Sequence, residues 1–237
     1  MNQTEVILKI RRDLKSAVDP EYKEGSIRYF KEKIKPYGVR GHNVKKIIRK
    51  YFSLLKKEWK YKDFVKLCEK LLKEGWMEEE SIAFGFMERL KKQFTEETFY
   101  LFEKWLNKYV HNWAHCDELS AHLIEEIVDK YPKFISNLIK WTKSKNRWFR
   151  RSSAVSLVVH ARHGRYLKKV FKISEELILD KDDVVQKGVG WLLKEASRKH
   201  EKEVVRFLLK WKNKTSRLVL RYATEKFSLS NRKLVLS

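Results

Sequence analysis

Trp148-Phe149-Arg150-Arg151-Ser152-Ser153-Ala154 is answered 36 residues later by Val184-Val185-Gln186-Lys187-Gly188-Val189-Gly190. In both stretches an apolar pair leads into a polar or basic pair, and then into small residues. Arg217-Leu218-Val219-Leu220-Arg221-Tyr222-Ala223 reads as a looser third copy. Leu138-Ile139-Lys140-Trp141 matches Leu208-Leu209-Lys210-Trp211 at an offset of 70, about two repeats. Self-similarity at such a period marks a supersecondary unit that cannot bury its apolar face alone and stacks on its neighbours.

The rest of the chain agrees. Only 8 Gly and 3 Pro occur in 237 residues, too few for the tight turns of an all-β protein. Apolar residues recur at helical spacing in segment after segment. The spacing predicts helices over Thr4–Val18, capped by Thr4, then from Pro20 to about Lys35, Gly41–Lys57, Lys62–Glu74, Glu78–Lys92 and Thr95–Tyr109. Glu118–Lys130 and Pro132–Thr142 follow, then 147–163, 165–180, 183–199, 201–212 and 216–227. No strand is predicted. A basic, small-residue helix every 35 to 40 residues is a HEAT-type signature. The expected fold is all-α: a single domain, 1–237, forming a right-handed superhelical solenoid of HEAT-like (ARM-type) repeats. Its concave face would carry Arg151 and Lys187 at equivalent positions.

Charge narrows the partner. Lys and Arg number 54 against 31 Asp and Glu, a net charge of +23. An excess of that size favours a polyanion, with nucleic acid first and an anionic membrane surface second. A thermophile's lysine-rich surface is the bland alternative, but such surfaces mix both signs. No run of about 18 apolar residues is present and the N-terminus has no signal-peptide core. Cys68 and Cys116 form neither a disulfide framework nor a zinc spacing. A reduced, cytoplasmic, nucleoid-associated setting is expected.

Mid-chain, Asn112-Trp113-Ala114-His115-Cys116-Asp117 places a tryptophan and a carboxylate four residues apart. Together with Ser26-Ile27-Arg28-Tyr29-Phe30-Lys31, Asn146-Arg147-Trp148-Phe149-Arg150-Arg151 and Lys187-Gly188-Val189-Gly190-Trp191-Leu192-Leu193-Lys194-Glu195, this segment resembles the AlkD-like DNA alkylation repair glycosylases. The resemblance covers essentially the whole chain and is strongest from Trp113 to Arg198. It implies a catalytic aspartate at Asp117 and catalytic tryptophans at Trp113 and Trp191. It also implies DNA contacts at Arg151 and Tyr29; Lys187, equivalent to Arg151 in the repeat, and Arg150 are expected to contact DNA as well. Asn112 departs from the pattern, since an aromatic residue often stands there in the family.

What the resemblance implies for function is a monofunctional DNA glycosylase of base excision repair. It would excise cationic N3- and N7-alkylated purines, such as 3-methyladenine and 7-methylguanine, from duplex DNA. The expected protein is a monomer that needs neither cofactor nor metal and has no membrane association. The chemistry is coherent. Cleaving an N-glycosidic bond develops positive charge on the sugar, which a nearby carboxylate stabilises. A cationic base leaves without a strong general acid. Indole faces attract a cation, and an arginine fork suits a phosphate.

Each residue also has a plainer reading. Asp117 would serve as N-cap of a helix beginning at Glu118. Trp59, Trp76, Trp105, Trp141 and Trp211 read as packing residues, and Trp113, Trp191 and Tyr29 could join them. Arg151 could be a solvated repeat residue. His111 with His115 and His160 with His163 have helical spacing but no completed ligand set. The alternative function is a non-catalytic HEAT-repeat protein that recognises distorted or branched DNA. A protein–protein scaffold is a third reading, disfavoured by the charge.

Overall fold

The computed structural model describes residues 1–237, and every regular element in it is helical. The chain forms two compact units, Met1–Phe94 and Thr95–Ser237.

In the first unit, α1 (Gln3–Ser16) buries Val6, Ile10 and Leu14, one residue per turn. Its cap is Asn2 and not Thr4: Asn2 Oδ1 accepts from the Glu5 amide at 2.9 Å, and Glu5 accepts in return from the Asn2 amide at 3.1 Å. This reciprocal pair satisfies two amides that the helix leaves open. Helix α2 (Pro20–Tyr29) starts at Pro20 behind an Asp19 cap, as expected, but stops at Tyr29 and buries no residue. Further on, the backbone amides of Tyr37, Gly38 and Val39 all donate to the buried carboxylate of Glu78, each at 2.8 Å. These bonds hold residues 37–39 outside any helix, and Gly38 turns there with φ +94°. Helices α3 (Gly41–Leu55), α4 (Tyr61–Lys73) and α5 (Met77–Arg89) close the unit over a ring cluster of Phe52, Phe64 and Phe86.

The second unit begins with α6 (Glu96–Lys108). Helix α7 (Trp113–Leu119) runs through a π-helical turn, Ser120–Ile124, into α8 (Glu125–Lys130). After a 3₁₀ turn at Pro132–Phe134 come α9 (Ile135–Trp141), α10 (Arg147–Val155), α11 (Val158–Arg162) and α12 (Leu167–Leu177). The predicted helix over 147–163 is thus interrupted after Val155. Helix α13 (Asp183–Trp211) is bent at His200, whose φ of −137° and ψ of 47° fall at the break expected between 199 and 201. Helices α14 (Arg217–Ala223) and α15 (Leu229–Leu236) end the chain; α15 was not anticipated.

The repeat period is visible in the side-chain bonds of this unit. Trp141 Nε1 donates to Glu103 (38 residues apart), Arg147 to Asp182 (35), Arg162 to Glu195 (33), Lys210 to Glu175 (35) and Thr215 Oγ1 to the Ile178 carbonyl (37). One repeat therefore bonds to the next at a near-constant separation, as stacked repeats must. Between them lie fully buried side chains such as Trp105, Phe99 and Phe102, each stabilising by roughly 1.5–3 kcal/mol through burial.

His160 is completely buried here. Its Nε2 meets the Glu125 carbonyl at 3.3 Å, and its Nδ1 has no hydrogen-bond partner. Burial pulls its pKa down to about 4, with the Arg165 cation adding to the effect. It is a neutral core imidazole. No group of three or more His, Cys, Asp or Glu is placed to hold a metal ion, and no helix is long and apolar enough to cross a membrane.

Candidate active site and DNA-contact row

Asn112 explains how the central segment folds. Its Oδ1 accepts from the His115 amide at 3.0 Å, which makes Asn112 the N-cap of α7. The helix therefore starts at Trp113, five residues earlier than the periodicity suggests. Asp117 is not a cap; it sits one turn inside the helix. Trp113 and Asp117 are then i and i+4 on one helix, hence neighbours on one face. The residue that departs from the family pattern is the one that sets their register.

Across the interface with α10, Arg151 meets Asp117 in a fork. Nε donates to Oδ1 at 2.8 Å and Nη2 to Oδ2 at 2.7 Å. Nη1 donates to the Val184 carbonyl of α13. All three directions of the guanidinium are thereby used within the protein. The side chain of Arg151 is 6% exposed and that of Asp117 18%, so Asp117 is the more exposed member of the pair. Burial pushes the Asp117 carboxyl above its ordinary value, opposed by the Arg151 guanidinium and more weakly by His122. Each carboxylate oxygen has two acceptor sites, and Arg151 takes one on each. Half of the acceptor capacity remains for a ligand.

The fork does not stand alone. Ser120 Oγ, in the π-helical turn, donates to Ser152 Oγ at 2.7 Å and Cys116 Sγ of α7 to the Trp148 carbonyl at 3.5 Å, both buried bonds to α10. Cys116 is a structural thiol: burial pushes its pKa up to about 12, which leaves no thiolate to act as nucleophile. On the other side, Gly188 of α13 packs against the Arg151 stem, where a Cβ would lie 3.4 Å from Arg151 Cγ, an ordinary contact.

The remaining predicted residues are placed as follows. Trp113 and Trp191 are both half-buried. Trp191 sits four residues after Lys187 on α13, repeating the spacing of Trp113 and Asp117. Trp76 is packed on Tyr37, Trp59 on Phe64 and Trp141 on Phe99, and Trp105 is in the core. Arg150 is turned away from Arg151: it bonds Asp180 at 2.6 Å and the carbonyls of Ser144 and Lys145 at 2.9 and 3.1 Å. Lys187 reaches its own helix's Asp183 at 3.5 Å, a partly exposed i, i+4 pair that stabilises by only about 0.3–0.5 kcal/mol. Tyr29, in the first unit, is 72% exposed at the end of α2, with its ring edge-on to Phe30 at 5.8 Å.

The caps reveal the repeat register. Asn112, Asn146, Asp182 and Ser216 cap α7, α10, α13 and α14 by accepting from the amides of His115, Trp148, Val184 and Val219. The fifth residue after each cap is Asp117, Arg151, Lys187 and Arg221. The equivalence of Arg151 and Lys187 read from the sequence is therefore correct. The third copy is displaced by one residue, with Arg221, and not Leu220, at the matching position. The spacings are 34, 36 and 34 residues, and the first shortens what a fixed 36-residue offset would require. Neither Arg221 nor the Asp117–Arg151 pairing is legible from a fixed-offset comparison.

With this geometry in view, comparison with known proteins is decisive at the level of family. The family model for the DNA alkylation repair enzyme matches residues 10–227. The chain belongs to the DNA alkylation repair enzyme family. Among solved structures it is similar to one described as a predicted DNA alkylation repair enzyme from Enterococcus faecalis, with a TM-score of 0.80 and 14% identity. The match covers 90% of this chain and 97% of that one. At that identity the likeness shows the shared all-helical fold. No curated protein matches the chain. Family membership supports a role in the repair of alkylated DNA and DNA as the partner.

Proposed function

We propose that the chain is a monofunctional DNA glycosylase that releases cationic N3- and N7-alkylated purines from duplex DNA. The observation that carries this reading is the Asp117–Arg151 fork. It fixes a partly exposed aspartate on a helix whose preceding turn carries Trp113. As the glycosidic bond lengthens, positive charge grows on the sugar. Asp117 is held in place before that charge appears, so its attraction is not offset by reorganisation. Its free acceptor positions suit it to orient the attacking water.

Arg151 acts through Asp117. With three of its N–H donors on Asp117 and Val184 it is placed to orient the carboxylate. Trp113 and Trp191 offer indole faces to a cationic sugar or base. The protein supplies one carboxylate and no assigned general acid, which suits a base already charged by alkylation. A net charge of +23 favours association with the duplex.

The test is incubation with N-methylated duplex DNA followed by analysis of the released bases and of strand integrity. The expected result is free 7-methylguanine and 3-methyladenine, with abasic sites in uncut strands. Binding to DNA with no base released from any alkylated substrate would replace this reading with a non-catalytic binder of distorted or branched DNA.

A further inference from the structure

We propose that Arg221, on α14, is a phosphodiester-binding residue and that, with Lys187, it grips one DNA strand beyond the Asp117–Arg151 pair. The proposal takes duplex DNA as the partner.

Four helices with side-chain caps, α7, α10, α13 and α14, pack in succession. Their fifth residues, Asp117, Arg151, Lys187 and Arg221, form a row. The first two members neutralise each other. Positive charge available to a ligand begins only at Lys187, whose ion-pair partner is the half-buried Asp183 of its own helix at 3.5 Å. Arg221 follows, exposed and without an ion pair. Its guanidinium fork is free, where that of Arg151 is spent, and a planar fork matches phosphate oxygens.

The approach of α14 is built in at Gly190. A Cβ there would lie 2.4 Å from Tyr222 Cβ and 3.2 Å from the Val219 carbonyl. No other residue type lets α14 come so close to α13, and Arg221 is the chain neighbour of the Tyr222 that packs there. Packed helices lie about 8–10 Å apart. A strand offers one phosphate per roughly 3.4 Å of duplex axis, so successive members of the row can each reach a phosphate of the same strand.

The experiment measures binding of wild-type protein, Arg221→Ala, Arg221→Lys and Lys169→Ala to an undamaged duplex over a range of salt. Lys169 is exposed on α12, outside the row, and its removal changes the net charge by the same amount. Loss of one phosphate contact lowers the salt slope by about 0.9 and the affinity about eightfold near 0.1 M salt. Arg221→Ala should show both losses, Arg221→Lys should recover most of the slope, and Lys169→Ala should match wild type. Wild-type affinity and slope in Arg221→Ala would overturn the proposal. So would an equal loss in Lys169→Ala, because net charge alone would then explain binding. A wild-type protein that does not bind the duplex even at low salt would instead remove DNA as the partner.

Discussion

Asp117 and Arg151 occupy the same position, fifth after the cap, on the packed helices α7 and α10 and close a two-bond fork at 2.8 and 2.7 Å. A position that in the following repeats is basic is here an acid, and the base of the next repeat holds it. Stacking therefore converts a one-residue change between repeats into a positioned, partly exposed aspartate.

The first consequence concerns Asp117→Asn. Removing the charge should lower base release on the order of a hundredfold or more, with duplex affinity near or slightly above wild type. The substitution also leaves the Arg151 guanidinium buried without its counter-charge, which should cost about 1–3 kcal/mol of stability. Single-turnover release and thermal melting measure the two effects. Wild-type release would reduce the carboxylate to a structural ion-pair partner.

Arg151→Lys separates orientation from charge. Lysine keeps the positive charge but cannot span both carboxylate oxygens while also reaching Val184 O. Misplacing Asp117 by an ångström should cost roughly 10- to 100-fold in kcat with little change in KM. An effect confined to KM would return Arg151 to the role of a phosphate contact.

The acid limb of the pH–rate profile should report Asp117. The ionised carboxylate is the active form, and burial raises its pKa. Release, corrected for the uncatalysed reaction, should therefore fall as the pH drops through a value above the ~3.9 of a free aspartate. Asp117→Asn should abolish this limb. A limb unchanged in Asp117→Asn would belong to another group.

Lesion choice tests the absence of a general acid. Release of 7-methylguanine or 3-methyladenine should greatly exceed release of uracil or hypoxanthine, because the neutral bases need protonation to leave. Comparable uracil release would show that an acid acts beside Asp117.

His160 predicts acid sensitivity of the fold. Its folded pKa of about 4 lies below the ~6.5 of an unfolded histidine, so the unfolded chain binds the proton more readily. The stabilisation is complete above about pH 6.5 and is lost progressively towards pH 4. Melting temperature should fall over that window, and less steeply in His160→Gln. An equal slope in both proteins would assign the acid sensitivity elsewhere.

Much was determined by local sequence. Apolar spacing marked nearly every helix of the second unit, because a stacked helix needs one apolar face whatever its neighbours are. The break near His200 and the equivalence of Arg151 with Lys187 were legible for the same reason. Trp113, Asp117 and Trp191 were legible only as residue types in a familiar order. Three-dimensional structure decided the rest. Asn112 displaced Asp117 as cap because a side-chain oxygen found the His115 amide, a bond that hydrophobic periodicity does not register. Helix α2 stopped at Tyr29, short of its expected end, and the amides of residues 37–39 found Glu78, a partner far along the chain that local spacing does not register. Arg151 became the partner of Asp117, and Arg221 joined the row, because repeats stack by position after the cap and not by a constant number of residues. Loop lengths vary between repeats, so only packing fixes which side chains meet.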